Sequence, residues 1–168
     1  EVQHCKYYLE IQQKRYEDKF EVIWKIPEDV LEYKIIRIIL QPLVENAIYH
    51  GLPQGLDKEG KILIAAHIVN NKLILTVEDN GDGMTEQQID SILKEQVKDR
   101  KHFNGIGIPN VKERIQLFFG EEYGLAYESE LGEYTRAVFT LPVIRPGESN
   151  GMQYTLTEKM EGEKNVKN

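Results

Sequence analysis

At 168 residues, with 40% hydrophobic and 29% charged residues, the chain suits one soluble domain whose core needs no disulfide or metal staple. A net charge of −7 excludes nucleic-acid binding through a broad basic face, though not a local phosphate site built from backbone N–H groups. The single cysteine, Cys5, rules out an intrachain disulfide and a cysteine metal cluster and fits a reducing compartment; no apolar run reaches membrane-span length, and no signal-peptide pattern is recognisable.

In chain order, residues 1–18 read as an amphipathic helix, with Val2, Cys5, Leu9, Gln13 and Tyr16 at three- and four-residue steps. Phe20 to Ile26 is rich in β-formers and reads as a strand, stopped by Pro27. Tyr33 to His50 is dense in Ile and Leu and predicts one long helix, with Pro42 either kinking it or marking the first turn of its second half. A Gly- and Pro-containing loop follows. Residues 62–69 and 73–78 then predict two strands joined by a tight turn at Asn70-Asn71. Thr85 is a helix N-cap candidate for a short polar helix from Glu86 to Glu95. Gln96 to Asn104, with Lys98, Arg100, Lys101 and His102, predicts a mobile loop. Gly105-Ile106-Gly107 opens another helix carrying Ile108, Val111, Ile115 and Phe118, which Gly120 ends. Residues 125–130 and 134–141 predict a final hairpin, and the polar stretch from Arg145 onward predicts no fixed structure. Strands arriving in adjacent pairs imply an α+β fold: a two-layer α/β sandwich with a mixed, largely antiparallel sheet and helices on one face.

Three stretches fit one chemistry. The strand ending at Val77 delivers Asp79 to a turn, Asp79-Asn80-Gly81-Asp82-Gly83-Met84. A fixed carboxylate beside bare backbone can accept a hydrogen bond from an amino group of a flat ligand lying against the chain. Alone, the pattern is also that of an ordinary strand-ending turn. Before it, the greasy helix bears Glu45, Asn46 and His50; Asn46 and His50 are four apart and share a face. Asparagine and carboxylate oxygens are hard donors suited to Mg²⁺, although a solvent-facing helix end would look the same. After it, Gly105-Ile106-Gly107 places bare N–H groups and a helix dipole where a phosphate could sit; a hinge is the plainer alternative. The intervening basic loop would be a lid, or merely a solvated charge run.

Together, LQPLVENAIYHG, VEDNGDGM, GIGIPNVKERIQLFFGEEYGL and ESELGEYTRAVFTLP resemble the N, G1 and G2 boxes and the last box of the GHKL ATPase superfamily. The superfamily takes in gyrase-type ATPases, MutL, chaperones of the ninety-kilodalton heat-shock class and sensor histidine kinases. The match is nearest to the catalytic domain of LytS/YesM-type bacterial sensor histidine kinases. YYLEIQQKRYEDKFEV resembles that family's linker, and the likeness runs from about Glu1 to Pro142. It implies a Bergerat-type fold binding ATP with Mg²⁺. It implies a helical linker over 1–18, a catalytic domain over 19–144 and a disordered tail over 145–168. By resemblance Asn46 binds the metal and Glu45 lies beside it, the two forming the catalytic pair. Asp79 accepts from the adenine amino group, Gly81 and Gly83 let base and ribose approach, and Gly105 and Gly107 shape the phosphate end. His50, Met84 and Ile106 join the nucleotide contacts, and Thr135 sits near adenine. Arg114 matches a family position, with an intradomain ion pair as its simplest role.

The resemblance also implies partners. These are a helical phosphoacceptor domain of the same, dimeric protein and a response regulator, with no nucleic acid and no membrane contact by this chain. It implies a cytoplasmic domain of a membrane-anchored protein. The acceptor motif is not in the sequence: His4, His67 and His102 lack its context. Two positions depart from the family, Tyr49 where Lys is frequent and Tyr134 where Gly is frequent. A stand-alone GHKL serine kinase and a non-catalytic nucleotide-sensing module are the alternatives.

Overall fold

The structure, a computed structural model, describes residues 1–17, 19–52, 59–94 and 108–148. Helix α1 (Val2–Arg15) leads into strand β1 (Phe20–Lys25), a short 3-10 helix (Glu28–Glu32) and α2 (Leu40–His50). Strands β2 (Gly60–Val69) and β3 (Lys72–Asp79) follow, then α3 (Glu86–Lys94), α4 (Ile108–Phe119), β4 (Gly124–Glu130) and β5 (Tyr134–Pro142).

The described strands form one sheet in the order β1-β2-β3-β5-β4. Only β1 and β2 run parallel, because the chain between them crosses over through α2; the other neighbours are antiparallel. The predicted mixed, largely antiparallel sheet is therefore present. Alternation along the central strands decides which face is covered. Ile62, Ile64 and Ala66 of β2, Leu73, Leu75 and Val77 of β3, and Ala137, Phe139 and Leu141 of β5 are all buried. Helices α1, α2 and α4 close over that face through Cys5, Leu9, Leu43, Val44, Ala47, Val111 and Ile115. Each Leu, Ile or Phe fully removed from water there contributes roughly 1.5–3 kcal/mol.

The local signals behave as their chemistry requires. Asn70 and Asn71 both take positive φ, 50° and 59°, the pairing that a two-residue hairpin turn demands. Thr85 caps α3 through its Oγ1, which accepts from Gln88 N at 3.2 Å, while Gln88 Oε1 accepts from Thr85 N at 2.8 Å, a reciprocal capping box. Gly120 closes α4 at φ 99°, its N–H donating to Gln116 O. Arg145–Glu148 forms a turn, and the rest of the expected tail lies outside the described residues, as do 96–104 and Gly105–Gly107.

One expectation is corrected. The long helix over 33–50 begins only at Leu40. Residues 33–39 are tied sideways instead: Lys34 N donates to Ile144 O at 2.9 Å, and Arg114 Nη2 donates to Arg37 O at 3.0 Å. Ile38 has φ 59°, which no right-handed helix admits. The Ile-rich run misleads because Ile36 and Ile39 reach the core from an irregular backbone. Pro42 then falls in the first turn of α2, where its missing N–H costs nothing. A smaller difference lies in α1, whose buried stripe is Cys5, Leu9 and Gln12; Gln13 turns aside and donates to Phe20 O.

Candidate functional site

Asp79 is the last residue of β3, 5% exposed. Sheet alternation aims it at the helix-covered face, in one row with Thr135 of β5 and Ser129 of β4. Its Oδ1 accepts from Gly81 N at 3.1 Å, so the turn folds back onto its own carboxylate. The end of α2 closes on the same group. A Cβ at Gly51 would stand 2.3 Å from the Asp79 carboxylate, and one at Gly81 would stand 1.9 Å from Gly51 O. Both positions are confined to glycine by the approach of helix end and turn. Gly83 takes φ 68° and has no room for a Cβ against Glu130 O. Contacts within the protein thus account for glycine at all three positions.

The rest of the turn is anchored on two sides. Asn80 Oδ1 accepts from Lys61 N at 2.6 Å and its Nδ2 donates to Glu59 O at 2.9 Å, pinning the turn to the start of β2. On the other side Met84 N donates to Ser129 Oγ at 2.7 Å, and Gly132 N to Asp82 O at 2.8 Å. The Asp82 side chain is exposed. Ser129 Oγ in turn donates to Tyr134 O at 2.6 Å and lies 3.2 Å from Thr135 Oγ1. One hydroxyl has one proton, so Thr135 is the donor of that last pair and keeps acceptor lone pairs only. Tyr134, whose ring lies 5.2 Å from the Arg136 guanidinium, leaves Thr135 in its inward position, 8% exposed.

Helix α2 separates the remaining sequence candidates. Asn46 is half-buried and His50 exposed; four residues apart, they share one flank. Glu45 stands on another. Its Oε1 accepts from Gln41 Nε2 at 2.8 Å, and its charge is felt by Cys5 and Tyr8 of α1. Tyr49 is on that flank too, its hydroxyl close enough to that of Tyr8 to raise the pKa of the latter. Burial first, then this contact, then the Glu45 charge push the Tyr8 hydroxyl above its ordinary value. Burial, joined by the Glu1 and Glu45 charges, pushes the Cys5 thiol up to about 12. Glu1 ties the start of α2 to α1: its carboxylate accepts from Ile38 N at 2.5 Å and Leu40 N at 3.3 Å. Arg114, expected in an ion pair, holds the Arg37 carbonyl instead.

One residue near Asp79 escaped the sequence reading. Tyr127 of β4 sits one inward position along from Ser129, paired with Ala137. Its hydroxyl is buried without a hydrogen-bond partner, and burial followed by the Asp79 charge pushes it above its ordinary value. A tyrosine in an alternating strand carries no signal of this by itself.

Residues 32–145 match the family described as histidine kinase-, DNA gyrase B-, and HSP90-like ATPase. The chain belongs to this family. The matched segment contains α2, the Asp79 turn and Thr135. The sensor histidine kinase YesM of Bacillus subtilis (strain 168) is 37% identical over 137 residues, covering 82% of this chain and 22% of YesM; the chain thus spans about a fifth of that relative. Among solved structures, the catalytic domain of histidine kinase ThkA aligns with TM-score 0.60 at 15% identity, over 83% of this chain and 90% of that one. ThkA in complex with response regulator protein TrrA aligns with TM-score 0.54 at 18% identity, over 83% of this chain and 39% of that one. At these identities the structural likeness is one of fold, and the fold is that of a histidine kinase catalytic domain.

Proposed function

We propose that this chain is the ATP-binding catalytic portion of a two-component sensor histidine kinase. Its role is to hold Mg-ATP so that the γ-phosphoryl group passes to a histidine on a dimerisation domain outside this chain, and onward to a response-regulator aspartate. The observation that carries the reading is Asp79, a nearly buried carboxylate at a strand end against bare backbone, inside the segment matched to the ATPase family. Such a group attracts an exocyclic amino group and repels a phosphate. The site therefore has an adenine end at Asp79 and a phosphate end elsewhere. On this reading Asn46 and His50 serve that second end; Gly105, Ile106 and Gly107, which the resemblance assigns to it, lie outside the described residues.

The donor set suits a metal that arrives with the nucleotide. Among the described residues no cluster of three or more His, Cys, Asp or Glu could hold an ion unaided. Mg²⁺ needs little more than Asn46, because it takes phosphate oxygens and water as its other ligands. Held by Asn46, it would supply charge neutralisation at the phosphates. Phosphoryl transfer depends mainly on positioning and charge, and the chain's own residues supply the positioning: Asp79 fixes the base, and Gly81, Gly83, Met84 and Thr135 shape the wall around it. Glu45, engaged with Gln41 on the other flank, helps hold the helix that presents Asn46.

Helix α1 is, on this reading, the connection to the dimerisation domain, and its contacts with α2 are the route between the two. The response regulator is the downstream partner, as the ThkA complex suggests by analogy of fold. No described helix is long and apolar enough to cross a membrane; a cytoplasmic position, in a longer protein anchored in the membrane, belongs to the proposal.

Calorimetry with ATP and ADP, with and without Mg²⁺, tests the binding. Saturable binding of both nucleotides, strengthened by Mg²⁺ for ATP, is expected. No binding at millimolar nucleotide overturns the proposal and favours a module that has lost the ligand. Radiolabelled ATP should leave no acid-labile, base-stable phosphate on this chain; such a label would place the acceptor histidine within it.

A further inference from the structure

Tyr127 carries an inference that rests on the nucleotide reading above and goes beyond it. The polar groups around Asp79 have their bonds assigned: Gly81 N donates to Asp79, Ser129 to Tyr134 O, Thr135 to Ser129, and Met84 N to Ser129. The Tyr127 hydroxyl is the exception, buried and without a partner. Buried polar atoms are almost always satisfied, so an orphan at the rim of a site calls for a partner that arrives later. The register aims it at the site. Tyr127, Ala137 and Val77 form one row across β4, β5 and β3, next to the row of Ser129, Thr135 and Asp79. Ala137, the smallest side chain on the inward face of β5, is the position between Tyr127 and Val77 in that row, so little side-chain bulk separates β4 from β3 there. The Asp79 charge acts on the hydroxyl and favours its protonated, donating form.

We propose that Tyr127 is a base-reading residue of this site, donating its hydroxyl proton to the ring nitrogen N1 of adenine, directly or through one ordered water. Adenine presents a donor, the exocyclic amino group, immediately beside an acceptor, N1. Asp79 is the acceptor that matches the first, and Tyr127 is the donor that matches the second. A base lacking the N1 acceptor leaves the hydroxyl orphaned as before, so the pair discriminates against it.

The test is a cycle between the tyrosine hydroxyl and N1, read by calorimetry. The wild-type chain should bind ATP about 10-fold more tightly than 1-deaza-ATP, the difference expected when one hydrogen bond is lost. Tyr127→Phe should bind the two alike, at the weaker affinity. A Tyr127→Phe chain that keeps the wild-type preference overturns the proposal, as does a wild type that does not distinguish the two nucleotides. The wild-type comparison needs no folded variant. Tyr127→Phe keeps the ring and deletes only an unsatisfied hydroxyl, so its urea midpoint should be unchanged or higher. Failure of the wild type to bind either nucleotide removes the underlying nucleotide reading itself, an outcome distinct from binding without discrimination.

Discussion

Two flanks of helix α2 receive opposite treatment. On one, Gln41, Glu45 and Tyr49 succeed each other at four-residue steps, and every one is engaged by the protein: Gln41 with Glu45, Tyr49 with Tyr8, and the Glu45 charge with Cys5 and Tyr8. On the other, Asn46 and His50 make no side-chain hydrogen bond among the described residues, and the helix ends at Gly51 against Asp79. The buried stripe of Leu40, Leu43, Val44, Ala47 and Ile48 separates them. A helix that spends one polar flank on internal contacts is held in place by it, and its other flank is then presented at a fixed angle. Glu45 and Asn46 are neighbours in sequence, about 100° apart around the helix, and that angle is enough to give them different surroundings. It also accounts for Tyr49. At that position this chain has a hydroxyl that neighbours Tyr8.

Substitutions on the two flanks should therefore separate binding from docking. Asp79→Asn has the largest expected effect. Asparagine keeps an oxygen for Gly81 N, so the urea midpoint should hold, while the acceptor for the adenine amino group loses its charge. Affinity for ATP, measured by calorimetry, should fall about 30- to 100-fold, the equivalent of about 2–3 kcal/mol for a hydrogen bond to a charged group. An unchanged affinity would remove Asp79 from the adenine role. On the docking side, Glu1→Gln weakens the acceptor that holds Ile38 N and Leu40 N. The cost should be about 1 kcal/mol in urea unfolding, the usual scale of a lost helix cap, with ATP affinity in the folded protein changed less than about twofold.

The docking flank also has a pH signature. Folding holds the Cys5 thiol protonated up to about 12, against an ordinary value of 9.0, and raises Tyr8 from its ordinary 10.0. Acids whose protonated form is favoured by the fold contribute full stability below their ordinary values. That contribution is lost as the pH climbs through the folded ones. The urea midpoint should fall across pH 9 to 12. A Cys5→Ala chain, lacking the thiol, should lose less over the same range; an identical decline would assign the effect to other groups. Tyr49→Phe is the smallest expected change. It deletes one partly exposed hydroxyl contact, worth about 0.5–1 kcal/mol, and should leave ATP affinity as it was. A large loss of affinity in that variant would bring Tyr49 over to the ligand side and dissolve the distinction between the flanks.

Periodicity and turn chemistry in the sequence determined much of this molecule. Alternation in residues 62–78 and 134–141 set both the strands and the face each side chain would take, because a pleated strand has a fixed period of two. Asn70-Asn71, Thr85 and Gly120 announced a hairpin, a cap and a helix end through purely local preferences. The motif strings carried the family resemblance, and with it the choice of Asp79 and Asn46. What the sequence left open depends on partners far along the chain. Nothing in the Ile-rich run at 33–39 says that Ile144, Arg114 and Glu1 will take its backbone groups; each partner is more than thirty residues away. Which flank Glu45 joins was likewise decided only when α1 packed on one side of α2. The orphan hydroxyl of Tyr127 exists only because the sheet order puts β5 between β3 and β4. Local chemistry fixes the conformation of a segment, while the bonding of a buried polar group is settled by whichever distant atoms the fold brings within reach.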